Sequence, residues 1–235
     1  MKRLMIAGAA LLLTAPASAQ DLGGAEIIVT GQRGEQDDYS KDMPSVGLRR
    51  TADFLIQEVK VSGDTRDDKQ RSQEIHAMIE QALRLADKHG VELAFGDFVV
   101  QPLTLTNYKD LTLTDDRSRP DSQFVTFLVK APLGDKQSAS EAEKRIAGFI
   151  SAVPEVGRAQ MDKQDDVSFS VVAPDAYRDA IASKITEDAR QMAAKLGDGY
   201  AVQIEGLNMP VQWSRSGLSE VFLYIPYKLT ILPKP

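Results

Sequence analysis

The sequence predicts an α+β protein built from two β-α-β-β units, with helices packed on antiparallel sheet. Three observations predict it. Period-two alternation recurs in short β-branched runs: Val59 and Val61 alternate with Glu58 and Lys60, and Val167, Phe169 and Val171 alternate with Ser168 and Ser170. Two longer segments repeat apolar residues at helical spacing. Each of them stops on glycine at the same place in its unit, Ala86-Asp87-Lys88-His89-Gly90 in the first and Ala193-Ala194-Lys195-Leu196-Gly197 in the second. The spacing is too long for a solenoid and reads as a divergent duplication of a small α+β module.

From the N-terminus, residues 1–19 read as a secretory signal. Lys2 and Arg3 give the positive start, Leu4 to Leu13 the apolar core, and Ala17-Ser18-Ala19 the small residues that a signal peptidase needs. The core is shorter than the roughly 20 residues that span a bilayer, and no later segment is apolar enough to do so. Residues 20–50 mix Gly, Asp, Gln and Ser around one apolar run, Ile27-Ile28-Val29, and read as a flexible leader.

The first unit covers residues 51–135. A strand over Phe54 to Val61 is turned by Ser62-Gly63-Asp64, and Thr65 with Asp68 reads as a capping box. Ile75, Met78, Ile79, Ala82, Leu83 and Ala86 then form one apolar stripe, ended by Gly90. Val91 to Leu105 and Gln123 to Lys130 read as two further strands. Residues 136–154 form a bridging helix, entered through Ser138 with Glu141 three positions on and ended at Val153-Pro154.

The second unit, residues 155–235, opens with strands over Glu155 to Met161 and Val167 to Val172. Pro174-Asp175 starts a helix with Tyr177, Ile181, Ile185, Ala189, Met192, Ala193 and Leu196 on one stripe. Tyr200 to Trp213 and Glu220 to Ile231 read as paired strands, with Pro226 marking a bulge or a sheet edge.

Composition excludes several functions. The chain has 43% hydrophobic residues, enough for a core, and no cysteine, so neither disulfides nor a thiol-linked lipid are available. Its net charge of −6 becomes −8 once Lys2 and Arg3 leave with the signal. An acidic, interspersed surface does not suit nucleic acid or anionic lipid. The two histidines, His76 and His89, lie thirteen positions apart on one predicted helix, on nearly opposite faces at about 100° per residue, so they cannot share a metal. His76 reads as a solvated residue and His89 as a favourable charge near a helix C-terminus. Gly197-Asp198-Gly199 follows a helix and precedes a strand, the reverse of a phosphate-cradling loop. The pairs Asp67-Asp68, Asp115-Asp116 and Asp165-Asp166 lack calcium-loop spacing. No nucleophile elbow or zinc-helix motif is present, and no catalytic, cofactor or metal site is expected.

Asp188-Ala189-Arg190, Ala193 and Leu196-Gly197, followed by a strand holding Val202 and Ile204, resemble the closing helix and strand of SIMPL-domain proteins. Val61-Ser62-Gly63-Asp64 is similar to that family's opening strand, although the Pro-Asp step that often follows it there is missing. The resemblance implies an exported α+β protein, often assembled into homo-oligomers and linked to envelope stress, without an agreed biochemical activity. A second stretch, Glu26-Ile27-Ile28-Val29-Thr30-Gly31-Gln32-Arg33, resembles the segment before the plug of TonB-dependent outer-membrane receptors, but the chain is too short for their barrel.

The resulting expectation is a non-enzymatic periplasmic scaffold or interaction protein that self-associates through sheet edges. Ile27, Ile28 and Val29 are the candidate partner-binding residues, docking by strand addition on an envelope protein such as a TonB-like partner. The competing readings are pairing of that run with the chain's own sheet and an inherited export leader with no partner. Two other functions stay open: a module that binds a small apolar or aromatic ligand between the halves, near Trp213, Phe222, Tyr224 and Tyr227, and a hydrolase whose polar residues converge only in three dimensions.

Overall fold

The computed structural model describes residues 24–29, 43–97, 99–134, 138–164 and 167–234. The expected signal, residues 30–33 of the expected docking motif, and the pair Asp165-Asp166 lie outside the described residues. In chain order the elements are strands β1 (Glu26–Val29), β2 (Leu48–Thr51) and β3 (Phe54–Gly63), helix α1 (Asp68–His89), and strands β4 (Glu92–Phe95), β5 (Val99–Pro102), β6 (Thr114–Asp115) and β7 (Gln123–Pro132). Helix α2 (Ala139–Ala152), β8 (Gln160–Lys163), β9 (Ser168–Val172) and helix α3 (Arg178–Leu196) follow. The chain closes with β10 (Tyr200–Glu205), β11 (Gln212–Arg215), β12 (Glu220–Tyr224) and β13 (Lys228–Pro233). The predicted α+β class therefore holds.

Strands of both predicted units share one antiparallel sheet. Its pairings run from β3 to β7, β4, β5, β1 and β9, and from β9 back to β3, so the ladder closes on itself as a small barrel. Strand alternation then gives the sheet two buried faces. Ile28, Ile56, Ala94, Val100 and Leu128 point inward and form a cluster of their own. Their neighbours Ile27, Leu55, Leu93, Phe127, Val129, Phe169 and Val171 point outward. They join Ile75, Met78 and Ile79 of α1, Ile146 and Phe149 of α2, and Ile181 and Ile185 of α3 in the main core. Each such fully buried side chain contributes about 1.5–3 kcal/mol.

Local signals set the helix ends. Ser138 and Glu141 form the predicted reciprocal capping box on α2. Gly90 ends α1 in the left-handed conformation, φ 63° and ψ 38°, and its N–H returns to the carbonyls of Ala86 and Asp87. The other end of α1 departs from expectation: Asp67 is the N-cap, accepting from the Gln70 N–H at 2.8 Å, and Thr65 turns its hydroxyl to Glu74 instead. Pro174 starts a single 3₁₀ turn, Pro174–Tyr177, that leads into α3.

Four stretches of strand differ from expectation. Residues 20–50 were expected to form a flexible leader, yet they hold β1 inside the barrel and most of β2, because a β-branched run with apolar surface on both faces is buried best between two strands. Val91 to Leu105 breaks into β4 and β5 at Gly96, where φ is +119°. The strand expected over Glu155 to Met161 starts later, as β8. The two C-terminal strands form one bent hairpin: β11 pairs with β12, β10 pairs with β13, and Gly206 (φ +95°) and Pro226 meet at the bend. β12 also pairs with β2, giving a three-stranded sheet beside the barrel. Among the described residues, no helix is long and apolar enough to cross a membrane.

Candidate functional site

The most concentrated polar chemistry lies on the inward face of the barrel, where β1 enters it. Alternation places Glu26 of β1, Phe54 of β3, Glu92 of β4, Lys130 of β7 and Ser170 of β9 on that face, one layer beyond the apolar cluster. Lys130 is 4% exposed and Ser170 is fully buried. The Lys130 ammonium donates to Glu26 and, at 3.2 Å, to Glu92, and it sits 4.0 Å from the centre of the Phe54 ring. The Ser170 hydroxyl donates to the other oxygen of Glu26.

This layout fixes what the group can do. Both oxygens of Glu26 are engaged, and the Ser170 proton faces a carboxylate rather than the Lys130 amine. A nucleophilic serine needs a free base and a path for substrate; here the facing carboxylate is already held by Lys130 and Ser170 is fully buried, so the hydroxyl is a buried donor that holds a carboxylate. The cluster works as a latch on β1, with charge-assisted hydrogen bonds compensating the desolvation of a buried ammonium. Ile27 and Ile28, expected to dock a partner, lie in this same strand: Ile27 packs on the helix side, fully buried, and Ile28 inside the barrel. Val29 is held by backbone pairing to Phe169. All three are thus taken up by the chain's own sheet.

Sequence reasoning missed Glu26, Lys130 and Ser170 as a group. Each looks like an exposed polar residue in an alternating strand, and they come together only through barrel closure. A lysine at the end of the apolar run Phe124 to Val129 was the available signal, since it sits on a strand with core on both faces.

A second polar cluster ties the N-terminus of α1 to the loop before β8. Arg158 makes a bidentate pair with Asp64, at 2.6 and 2.9 Å. Glu74, itself buried, accepts from the Thr65 hydroxyl, from the Arg158 backbone N–H at 3.2 Å and from Gln70 at 2.9 Å. The Thr65 bond first, and then the Arg158 N–H, hold the Glu74 carboxyl below the ordinary glutamate range, against the opposing effect of burial. The Arg158 guanidinium does the same for Asp64. Arg71, 4% exposed, spends its donors on Asp68, Gln123 and the carbonyls of Thr65 and Asp121. Every charge here is answered within the fold, so the cluster is structural.

The remaining candidates fall in separate places. His76 and His89 occupy different surroundings on α1, as expected. His76 is less solvated than expected: its Nδ1 meets the Ser72 hydroxyl at 3.3 Å, its Nε2 is buried with no partner among the described residues, and its ring lies edge-on to Tyr108. His89 stands edge-on to Phe149. Among the C-terminal aromatics, Phe222 is buried, stacks on Tyr224 with ring centres 5.6 Å apart and lies under Arg49. Gly47 presses so close to Phe222 that a Cβ there would come within 2.5 Å of its ring, so this aromatic ring is used in packing.

Beyond these, the ribbon of β10 and β13 has only one hydrogen-bonded partner per strand among the described residues. Beside it the α3 stripe runs out of cover, with Met192 39% exposed and Leu196 56%, and Tyr200 at the start of β10 is 39% exposed. Comparison of the chain with protein-family models, with curated proteins and with solved structures finds no match in any of the three.

Proposed function

We propose that this protein is a non-catalytic scaffold of the bacterial cell envelope, exported to the periplasm, that assembles with copies of itself through the open edges of the β10–β13 ribbon. One observation carries the reading: a two-stranded ribbon whose edges have no further strand among the described residues, with the exposed apolar residues Tyr200 at its end and Met192 and Leu196 beside it on α3. Isolated two-stranded ribbons are marginal in water, and an unblocked edge is a template for another strand. The same edge from a second copy, related by a two-fold axis, supplies an antiparallel neighbour and covers the apolar rim in one step. Export rests on the signal-like residues 1–19.

The SIMPL-like duplicated arrangement belongs to the same proposal. Supporting it, β3 leads into α1 and β9 into α3, each helix stops at a positive-φ glycine, Gly90 and Gly197, and antiparallel strands follow each. The lead strands β3 and β9 pair with each other.

The test is light scattering on residues 20–235 across a concentration series at moderate salt. A defined oligomer is expected, and Leu196→Lys with Tyr200→Lys should reduce it to a smaller species with unchanged circular dichroism. A monomer at every concentration overturns the reading. Cell fractionation of the full chain should recover a periplasmic product lacking residues 1–19.

A further inference from the structure

We infer that the slot between β5 and β9 accepts β1 from a second copy of the chain, so that two molecules exchange the strand Glu26–Val29. β1 has only four residues, yet among the described residues it alone bridges β5 and β9; the other neighbour of β5 is β4, and that of β9 is β3. Withdrawing it opens the barrel between two strands that do not otherwise pair, leaving two facing edges that together select an extended segment.

The slot also selects by side chain. At its first position a carboxylate is required, because Lys130 and Ser170 are buried and both donate to Glu26. At the second, Ile27 fills the helix-side core, and at the third, Ile28 fills the barrel interior. An empty slot would leave a buried hydroxyl unpaired and a buried ammonium with Glu92 alone, which is costly. The occupant of lowest free energy other than the chain's own strand is therefore one with the same acid, apolar, apolar order, and the β1 of another copy has it by identity.

Reach permits the exchange. Residues 30–47 connect β1 to β2, eighteen residues by the strand bounds. Such a chain spans up to about 60 Å when extended, at roughly 3.3 Å per residue. Contacts in the exchanged pair are the same as in the single chain, so concentration decides between them, the usual condition for domain swapping. The inference deepens the self-association reading by naming a second link between copies, but it uses a different part of the molecule from the C-terminal ribbon.

The chain has no cysteine, so introduced thiols report without background. Ile27 and Val171 are partners across the β1–β9 ladder, within disulfide reach for facing residues of an antiparallel pair. Residues 20–235 carrying Ile27→Cys are mixed with the same chain carrying Val171→Cys, refolded together, and oxidised mildly. A mixed dimer linked between positions 27 and 171 is expected, at least tenfold above that from Val171→Cys mixed with the exposed Ser183→Cys. The double variant in one chain should close internally. Internal closure with no mixed dimer above the Ser183→Cys control overturns the exchange.

Should the cysteine variants not fold, a dye-labelled peptide of residues 24–31 added to the unaltered protein reads the same slot. Capture that is lost when the peptide carries Glu26→Lys supports the inference, and no capture at millimolar peptide overturns it. The two proposals fail separately. An oligomer without mixed dimer or peptide capture sinks the exchange and leaves the ribbon interface standing. A mixed dimer linked between positions 27 and 171 that forms equally well with Leu196→Lys and Tyr200→Lys in both chains sinks the ribbon interface and leaves the exchange.

Discussion

Around the barrel each strand of the ring has a hydrogen-bonded neighbour on both sides, whereas β10 and β13 have one neighbour each among the described residues. The barrel strands also have core on both faces, the inner cluster around Ile28 and Leu128 and the outer one under the helices. The ribbon is covered on one face, by α3, and its outward residues Gln203, Glu205 and Lys228 are exposed. Closure removes edges and leaves nothing for a partner to add to; an open ribbon does the reverse. One chain thus keeps a closed region, which another strand enters only by replacing β1, and a region that presents strand edges as it stands. The two are joined by packing, since Arg215 of β11 lies 4.5 Å from the centre of the Phe169 ring on β9, and β2 leads directly into β3 while pairing with β12.

The sharpest way to break the barrel side is to remove the cation at its centre. Lys130→Met keeps most of the side-chain volume beside Phe54 but leaves the Glu26 carboxylate with Ser170 as its remaining side-chain hydrogen-bond partner among the described residues, and without the cation it shared with Glu92. Removing one partner of a buried ion pair costs about 3–5 kcal/mol. Chemical denaturation should show that loss in the midpoint, with amide exchange rising first in β1 and its neighbours β5 and β9. On the ribbon side, Tyr200→Lys places a charge on an exposed position and should change stability by no more than about 0.5 kcal/mol. Equal losses from both substitutions would erase the distinction between the regions.

What the sequence made legible follows the range of the interactions. Helices and their C-terminal ends were read closely, because a capping box such as Ser138 with Glu141, a stop such as Gly90, and a stripe such as Ile75, Met78 and Ile79 are all set within a few positions. Strands were found but their neighbours were not, since pairing partners depend on distant residues: Glu26 meets Lys130 across 104 positions and Ser170 across 144. For that reason Ile27-Ile28-Val29 left docking on a partner and pairing with the chain's own sheet both open, and it is β5 and β9 that hold it. The Asp67 cap was missed because Thr65 and Asp68 fit the same local pattern, and only the fold shows that Glu74 recruits Thr65. Pro226 was legible as a break, since a residue without an N–H cannot continue a ladder.

A smaller effect separates the regions by pH. Glu74 and Asp64 hold α1 to the loop before β8, on the barrel side, and both carboxyls ionise below their ordinary range. A group whose folded pKa is depressed stabilises the protein above its unfolded value, about 4.3 for glutamate, and that contribution is lost as pH falls through the folded pKa. Urea midpoints taken from neutral pH downward should therefore fall on the acid side. In Glu74→Gln the neutral-pH stability drops and the acid limb becomes shallower, because the substituted side chain no longer gains protons on unfolding. An acid limb of unchanged slope in that variant would remove Glu74 from the account.

The ribbon side should answer to base. Tyr227 lies between β12 and β13; its hydroxyl is pushed above the ordinary tyrosine range first by burial and then by the charge of Asp188 on α3, with a bond to Ser45 acting the other way. One Asp188 oxygen is buried and has no hydrogen-bond partner among the described residues. Asp188→Asn should lower the pH at which Tyr227 ionises, toward about 10 but not to it, because burial remains. Ultraviolet titration of tyrosinate, with Tyr227→Phe to identify the group, reads that shift. A raised folded pKa contributes stability that is complete below the unfolded value and lost as pH rises through the folded one. Base should therefore loosen the packing of α3 on the hairpin while the barrel, clipped by carboxylates that are fully ionised there, keeps its amide protection; simultaneous loss in both regions would mean that they unfold as one unit and that the open ribbon is no more independent than the strands of the barrel.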